Sequence, residues 1–270
     1  MAFFKKSVLL FVIAIIGLFS ITACKNQESD KNTINIGTIS GPETELMNVA
    51  KDVAKRKFNL NVNIVEFSDY ALPNAALNDG SLDANAFQHE PFLKSEINNK
   101  GYKLTSIGKT FVYPMAIYSS KIKKISELTN QSIIAIPNDA SNEARALILL
   151  SKAKLIELKP GVDVNATPLD IVKNPMHLQF KELDAAQLPR VLPDVALAVI
   201  NTNYAVPAGL YPSKDALYLE DKTSPYVNLI VARIDNADDP RLHNLVQAFQ
   251  SPEVLEKAKV LFKGQAVQGW

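Results

Sequence analysis

The chain has 270 residues, 47% of them hydrophobic and 8% aromatic, proportions ordinary for a globular protein. Its 29 basic and 28 acidic residues nearly cancel, which leaves no electrostatic footprint for nucleic acid or for an anionic membrane surface. A single cysteine excludes an internal disulfide framework, so the fold must stand on its core.

The first element is a leader. Lys5 and Lys6 form a positive region, residues 8–19 are apolar, and Ile21-Thr22-Ala23-Cys24 closes the segment. That order is the layout of a secretory signal peptide. A cysteine at the cleavage point marks a lipoprotein signal, in which acylated Cys24 becomes the new N-terminus. A helix over the apolar run would rise about 18 Å, well short of the roughly 30 Å of a bilayer core. Residues 1–23 therefore read as signal peptide. Residues 24–33 read as a lipidated cysteine (palmitate among its acyl groups) with a polar tether, KNQESDK, that has nothing apolar to bury. The expected place is the exported face of a cell membrane, periplasmic where there are two membranes. Nothing later in the chain reads as a span.

Strand and helix patterns then alternate. Residues 34–39 and 62–67 are strands and 43–58 a helix by apolar spacing. A short helix at 73–78, a strand at 82–87 and a helix at 91–99 follow, with Gly80 and Gly101 as stops. Residues 104–118 form a long apolar stretch broken by Pro114, a candidate crossing between domains. Beyond it come a strand at 133–136, a helix at 142–153, strands at 178–183, 195–200, 216–219 and 227–231, and helices at 240–249 and 252–262. Alternation of this kind predicts an α/β protein with parallel sheets. It predicts two lobes, 34–112 with a return at 230–270, and 113–229. Ligands of such sheets bind beyond the C-terminal strand ends, often between lobes.

Several motifs fail. Gly108-Lys109-Thr110 resembles the end of a phosphate loop, but Lys103 stands where its first glycine should be. No G-x-S-x-G elbow is present. His89, His177 and His243 lack metal-ligand spacing. Asp238-Asp239 before Pro240 reads as a helix cap. No nucleophile–base pair, metal set or cofactor fingerprint emerges, so an enzyme is not expected.

Other stretches carry a resemblance. LDANAFQHEP (82–91), TFVYP (110–114), IPND (136–139), LAVINT (197–202) and SPYVNLIV (224–231), from the lipobox through to Gly269-Trp270, are similar to the bacterial methionine-binding lipoproteins, the substrate-binding components of methionine ABC importers. The resemblance implies a two-lobed periplasmic-binding-protein fold, type II-like, with the ligand cleft between lobes. It implies capture of methionine, or of another apolar amino acid or a methionine-containing dipeptide, and delivery to a permease and through it to an ATPase. No cofactor or metal is implied. Carried over by position, Tyr70, Phe87, His89 and Tyr113 line the side-chain pocket, Arg145 takes the α-carboxylate, and Asn201 and Asn228 bind the amino-acid backbone atoms, with Asn142 sharing the carboxylate. Asn142 and Arg145 stand at i and i+3 near a helix start, where free N–H groups favour an anion. Ala144 adds a methyl beside Arg145, which is expected to narrow the carboxylate end.

Overall fold

The computed structural model describes residues 32–221 and 224–270. The leader, Cys24 and most of the tether lie outside the described residues. Thr33, assigned above to the tether, already belongs to the first strand.

The elements run in chain order as β1 (Thr33–Ile39), α1 (Pro42–Phe58), β2 (Asn61–Phe67), α2 (Pro73–Asn78), β3 (Ala84–His89), α3 (Glu90–Lys100), β4 (Leu104–Val112) and β5 (Ala116–Tyr118). Then come β6 (Ile133–Pro137), α4 (Ala140–Lys152), β7 (Glu157–Leu158), β8 (Ile171–Lys173), β9 (Gln179–Leu183), α5 (Leu188–Val191), β10 (Leu197–Ile200), α6 (Thr202–Ala205) and α7 (Pro212–Asp215). The chain closes with β11 (Tyr218–Leu219), β12 (Val227–Arg233), α8 (Pro240–Phe249), α9 (Pro252–Leu261) and β13 (Val267–Gln268).

Boundaries follow local chemistry. Asp239 caps α8 by accepting the Arg241 N–H, with Pro240 at the first helical position, which needs no donor. Gly101 ends α3 in the left-handed conformation, φ 70°, which glycine adopts without penalty. Gly108-Lys109-Thr110 lies inside β4. A Cβ on Gly108 would sit 2.7 Å from a methyl of Val246, so this glycine serves the approach of α8 to the sheet.

Two sheets form the lobes. The first has the order β13-β4-β12-β3-β1-β2, the second β11-β5-β10-β6-β9, and β7 and β8 make a separate hairpin. The expectation of parallel sheets is corrected here. β1 and β3 are parallel, as are β6 with β9 and β10, but β12 runs antiparallel to both β3 and β4, and β5 antiparallel to β10. The reason is the route of the chain. It leaves the first sheet at the end of β4, builds the second, and returns as β12 into a central slot between β3 and β4. An apolar strand is equally at home in either direction once both faces are covered.

Leu46, Met47, Ala50 and Val53 of α1 and Leu242 and Leu245 of α8 pack with Ile34, Ile36 and Ile230 of the first sheet. Ile134, Leu147, Leu150 and Val199 do the same in the second lobe. Each such side chain contributes about 1.5–3 kcal/mol of burial. Ala144 belongs to this second core, with no exposed surface, so its methyl does not narrow the ligand end as expected. A third cluster unites both lobes: Ile39, Phe87 and Phe92 of the first meet Tyr118, Leu188, Ile200 and Tyr204 of the second. Among the described residues no helix is long and apolar enough to cross a membrane.

Candidate functional site

Phe87 and His89 end β3, Tyr113 follows β4, Asn201 follows β10, and Asn228 sits near the start of β12. Asn142 and Arg145 lie in the first turns of α4, and Tyr70 in the loop after β2. These elements bring all eight predicted residues around one cavity, which Gln88, Phe92, Thr202 and Asn203 also line. Its lining draws on the ends of β3, β4 and β10 and the start of β12.

The histidine acts first as a cap. Its Nδ1 accepts the Phe92 N–H at 3.2 Å, which starts α3. The ring proton therefore belongs on Nε2, which faces Asn142 Oδ1 at 3.3 Å. Burial, then the nearby positive charge of Arg145, lowers its pKa from 6.5 to about 3, so the ring is neutral.

Asn142 is saturated within the protein. Its amide nitrogen donates to both oxygens of Asp139 (2.9 and 3.0 Å), and its oxygen receives Asn201 Nδ2 at 2.7 Å as well as the histidine. The start of α4 is likewise taken, because Asp139 caps it by accepting the Asn142 N–H at 3.0 Å. Asp139 thus stands where the sequence expects a ligand anion, and Asn142 lines the cavity beside it.

Arg145, only 3% exposed, donates Nε at 3.0 Å to Glu220 Oε1, and Nη2 to Glu220 Oε2 and to the Tyr113 carbonyl at 2.9 Å. The Tyr226 ring lies beneath the guanidinium, 4.2 Å from Cζ to centroid. Only Nη1 makes no hydrogen bond among the described residues.

Further polar atoms in the cavity wall are unspent. Asn201 Oδ1 and Asn203 Nδ2 are buried without a partner. Asn228 donates Nδ2 to Glu43 Oε1 at 3.1 Å and to the Phe87 carbonyl at 3.3 Å, while its Oδ1 makes no hydrogen bond among the described residues. Unpaired buried groups of this kind are costly, so a binding partner is their natural account. The wall thus presents two donors, Arg145 Nη1 and Asn203 Nδ2, two acceptors, Asn201 Oδ1 and Asn228 Oδ1, and the hydroxyl of Tyr113, which makes no hydrogen bond among the described residues. The rest is aromatic: Tyr70, Phe87 and Phe92 lie 5.8–5.9 Å apart, centroid to centroid.

The sequence pattern of the NlpA lipoproteins matches residues 34–270. The chain belongs to that family. It is 52% identical, over 269 residues and 99% of both chains, to the D-methionine-binding lipoprotein MetQ of Salmonella typhi. Among solved structures, a periplasmic substrate-binding protein of an ABC transporter from Coxiella burnetii superposes with a TM-score of 0.85 at 57% identity, covering 87% of this chain and all of that one. A nutrient-binding protein from Burkholderia cenocepacia bound to methionine superposes at 0.86 and 52% identity, covering 88% of this chain and all of that one.

Glu220, Tyr226, Asn203 and Phe92 were missed by sequence reasoning. Phe92 follows Pro91 one position beyond the similar stretch, and its place in the first turn of α3 was available as a signal. Glu220 had none, because its partner is 75 residues away.

Proposed function

We propose that this protein is the substrate-binding component of an ABC importer, capturing methionine and delivering it to the permease and its ATPase. It is a binding protein, not an enzyme. One observation carries the ligand class: the cavity's unspent atoms include two donors and two acceptors in a largely aromatic chamber. A free amino acid is a zwitterion, and burying it requires satisfaction of both charges. The carboxylate goes to Arg145 Nη1 and Asn203 Nδ2, and the ammonium to Asn201 and Asn228. Tyr70, Phe87, His89 and Tyr113, with Phe92, receive the side chain. Burying a methionine side chain contributes about 1.5–3 kcal/mol, and sulfur–aromatic contacts add ~0.3–1.5 kcal/mol. The MetQ relatives and the methionine-bound nutrient-binding structure support that choice of side chain.

The test is calorimetry on protein unfolded, stripped and refolded, after mass spectrometry has identified what it carries from the cell. Methionine is the expected passenger. Arg145→Ala is expected to lose on the order of 2–5 kcal/mol of methionine binding. Affinities of wild type and variant within about tenfold would sink the assignment.

We further propose that Cys24 is acylated and that the tether holds the lobes beside the membrane, with the lobes joined between β4 and β5 and between β11 and β12. The lipobox and the polar run after it support this reading, since stable anchoring needs more than one acyl chain. Cys24→Ser is expected to release the protein from the membrane fraction. A variant that stays bound and is still cut after Ala23 refutes acylation.

A further inference from the structure

Glu220 is 7% exposed and lies immediately after β11, on the crossing that returns the chain to the first sheet. Both of its oxygens are committed: Oε1 to Arg145 Nε, and Oε2 to Arg145 Nη2 and to the Met115 N–H at 3.0 Å. Its own backbone N–H donates to the Met115 carbonyl at 3.0 Å. The carboxylate is therefore fixed on both sides, and the fork–fork geometry with arginine is the strongest ion pairing available to it.

The consequence is electrostatic. A lone buried arginine would make the cavity cationic and would welcome any anion of suitable shape. With Glu220 bound across its Nε–Nη2 edge, the guanidinium is neutralised before a ligand arrives. The other titratable groups nearby do not alter that balance: His89 is neutral, and burial pushes the Glu43 carboxyl well above its ordinary range. Asp139 faces Asn142 and Ser141.

We propose that Glu220 sets the charge specificity of the site: it holds Arg145 so that only Nη1 meets the ligand, and it cancels the guanidinium charge, so that the cavity accepts ligands whose own charges cancel and rejects anions of the same shape. The proposal rests on the reading of the ligand as a free amino acid. Discrimination comes from a withheld attraction, since an anion without an ammonium meets a guanidinium whose charge Glu220 has already cancelled.

The experiment compares methionine with γ-methylthiobutyrate, which is methionine without its amine, by calorimetry on refolded, ligand-free protein. Wild type is expected to prefer methionine strongly. In Glu220→Gln the amine-free anion gains affinity in absolute terms, because Arg145 is left without its counter-charge, and the preference for methionine falls by at least about tenfold. Glu220→Asp keeps the charge and keeps the preference, even if both affinities drop. A merely structural residue would weaken both ligands by one factor, so an unchanged preference in Glu220→Gln overturns the proposal. If that variant fails to melt cooperatively, the wild type decides alone: binding of the anion within about threefold of methionine overturns it. Absence of methionine binding by wild type refutes the ligand instead, and the charge rule then stands or falls on leucine against isocaproate, its amine-free analogue, in the same proteins.

Discussion

Because His89 Nδ1 accepts the Phe92 N–H, a second proton on this ring must take the very atom that starts α3. Protonation would also place a cation beside Arg145 in a buried site. Burial first, and then the charge of Arg145, hold the folded-state pKa near 3 against 6.5 for an unperturbed ring. Between those values the unfolded chain binds a proton that the folded chain refuses, so this residue's share of stability is intact above about pH 6.5 and is lost as pH falls towards about 3. The carboxyls of Glu43 and Asp139, and of Glu143, raised to about 7, act in the opposite sense, since their folded forms keep protons that the unfolded chain releases as pH rises. The wild-type profile mixes these slopes, and the difference from a His89→Gln variant isolates the histidine. Urea unfolding from pH 7 down to pH 3 is expected to show wild type losing stability relative to His89→Gln across that window. Parallel profiles would mean that His89 takes up its proton in the fold as readily as in the unfolded chain.

At the scale of elements, the sequence disclosed what short-range chemistry writes. Pro240 and Pro252 behind Asp239 and Ser251 mark the starts of α8 and α9, and the structure puts both caps there. What stayed hidden depends on partners distant in sequence. Strands β7 and β13 span two residues each and have no periodicity to read. The direction of β12 was invisible because an apolar run says that both faces are covered but not which neighbours cover them. The site divides in the same way. Phe87, His89, Arg145, Asn201 and Asn228 sit in or beside recognisable stretches and meet at one cavity. Asn142 shows the limit of reading from position: its place at a helix start was evident, but not that Asp139 already spends its amide and the helix terminus. Glu220 shows it more sharply, since only the return of the chain to the first sheet sets that carboxylate against Arg145.

For the whole molecule, the described conformation is held shut by few bonds. Tyr70 donates to Asn203 Oδ1 at 2.8 Å, Tyr204 donates to the Ser68 carbonyl at 3.4 Å, and His89 meets Asn142 at 3.3 Å, each joining one lobe to the other. The Tyr70 and Tyr204 rings stack obliquely with centroids 5.0 Å apart. Net hydrogen bonds of this kind are worth ~0.5–1.5 kcal/mol each, a modest sum against the freedom the lobes lose on closing. The cavity's unspent atoms change the balance, because Asn228 belongs to the first sheet while Arg145, Asn201 and Asn203 come from the second lobe. A zwitterion satisfies all four only when the lobes are together, so methionine has differential contacts that favour closure. Arg145 ties this event to both crossings at once, through the Tyr113 carbonyl on one and Glu220 and Tyr226 on the other. We therefore expect small-angle scattering of stripped protein to show a smaller radius of gyration when methionine is added. Tyr70→Phe, which keeps the ring packing but deletes the cross-lobe donor, is expected to enlarge the ligand-free radius and weaken methionine binding severalfold. A preclosed protein would behave otherwise: its radius would be indifferent to ligand, and a cross-link holding the lobes apart would leave affinity undiminished if closure played no part in binding. Those two results together would sever the link drawn here between the cavity's shared atoms and the motion of the lobes.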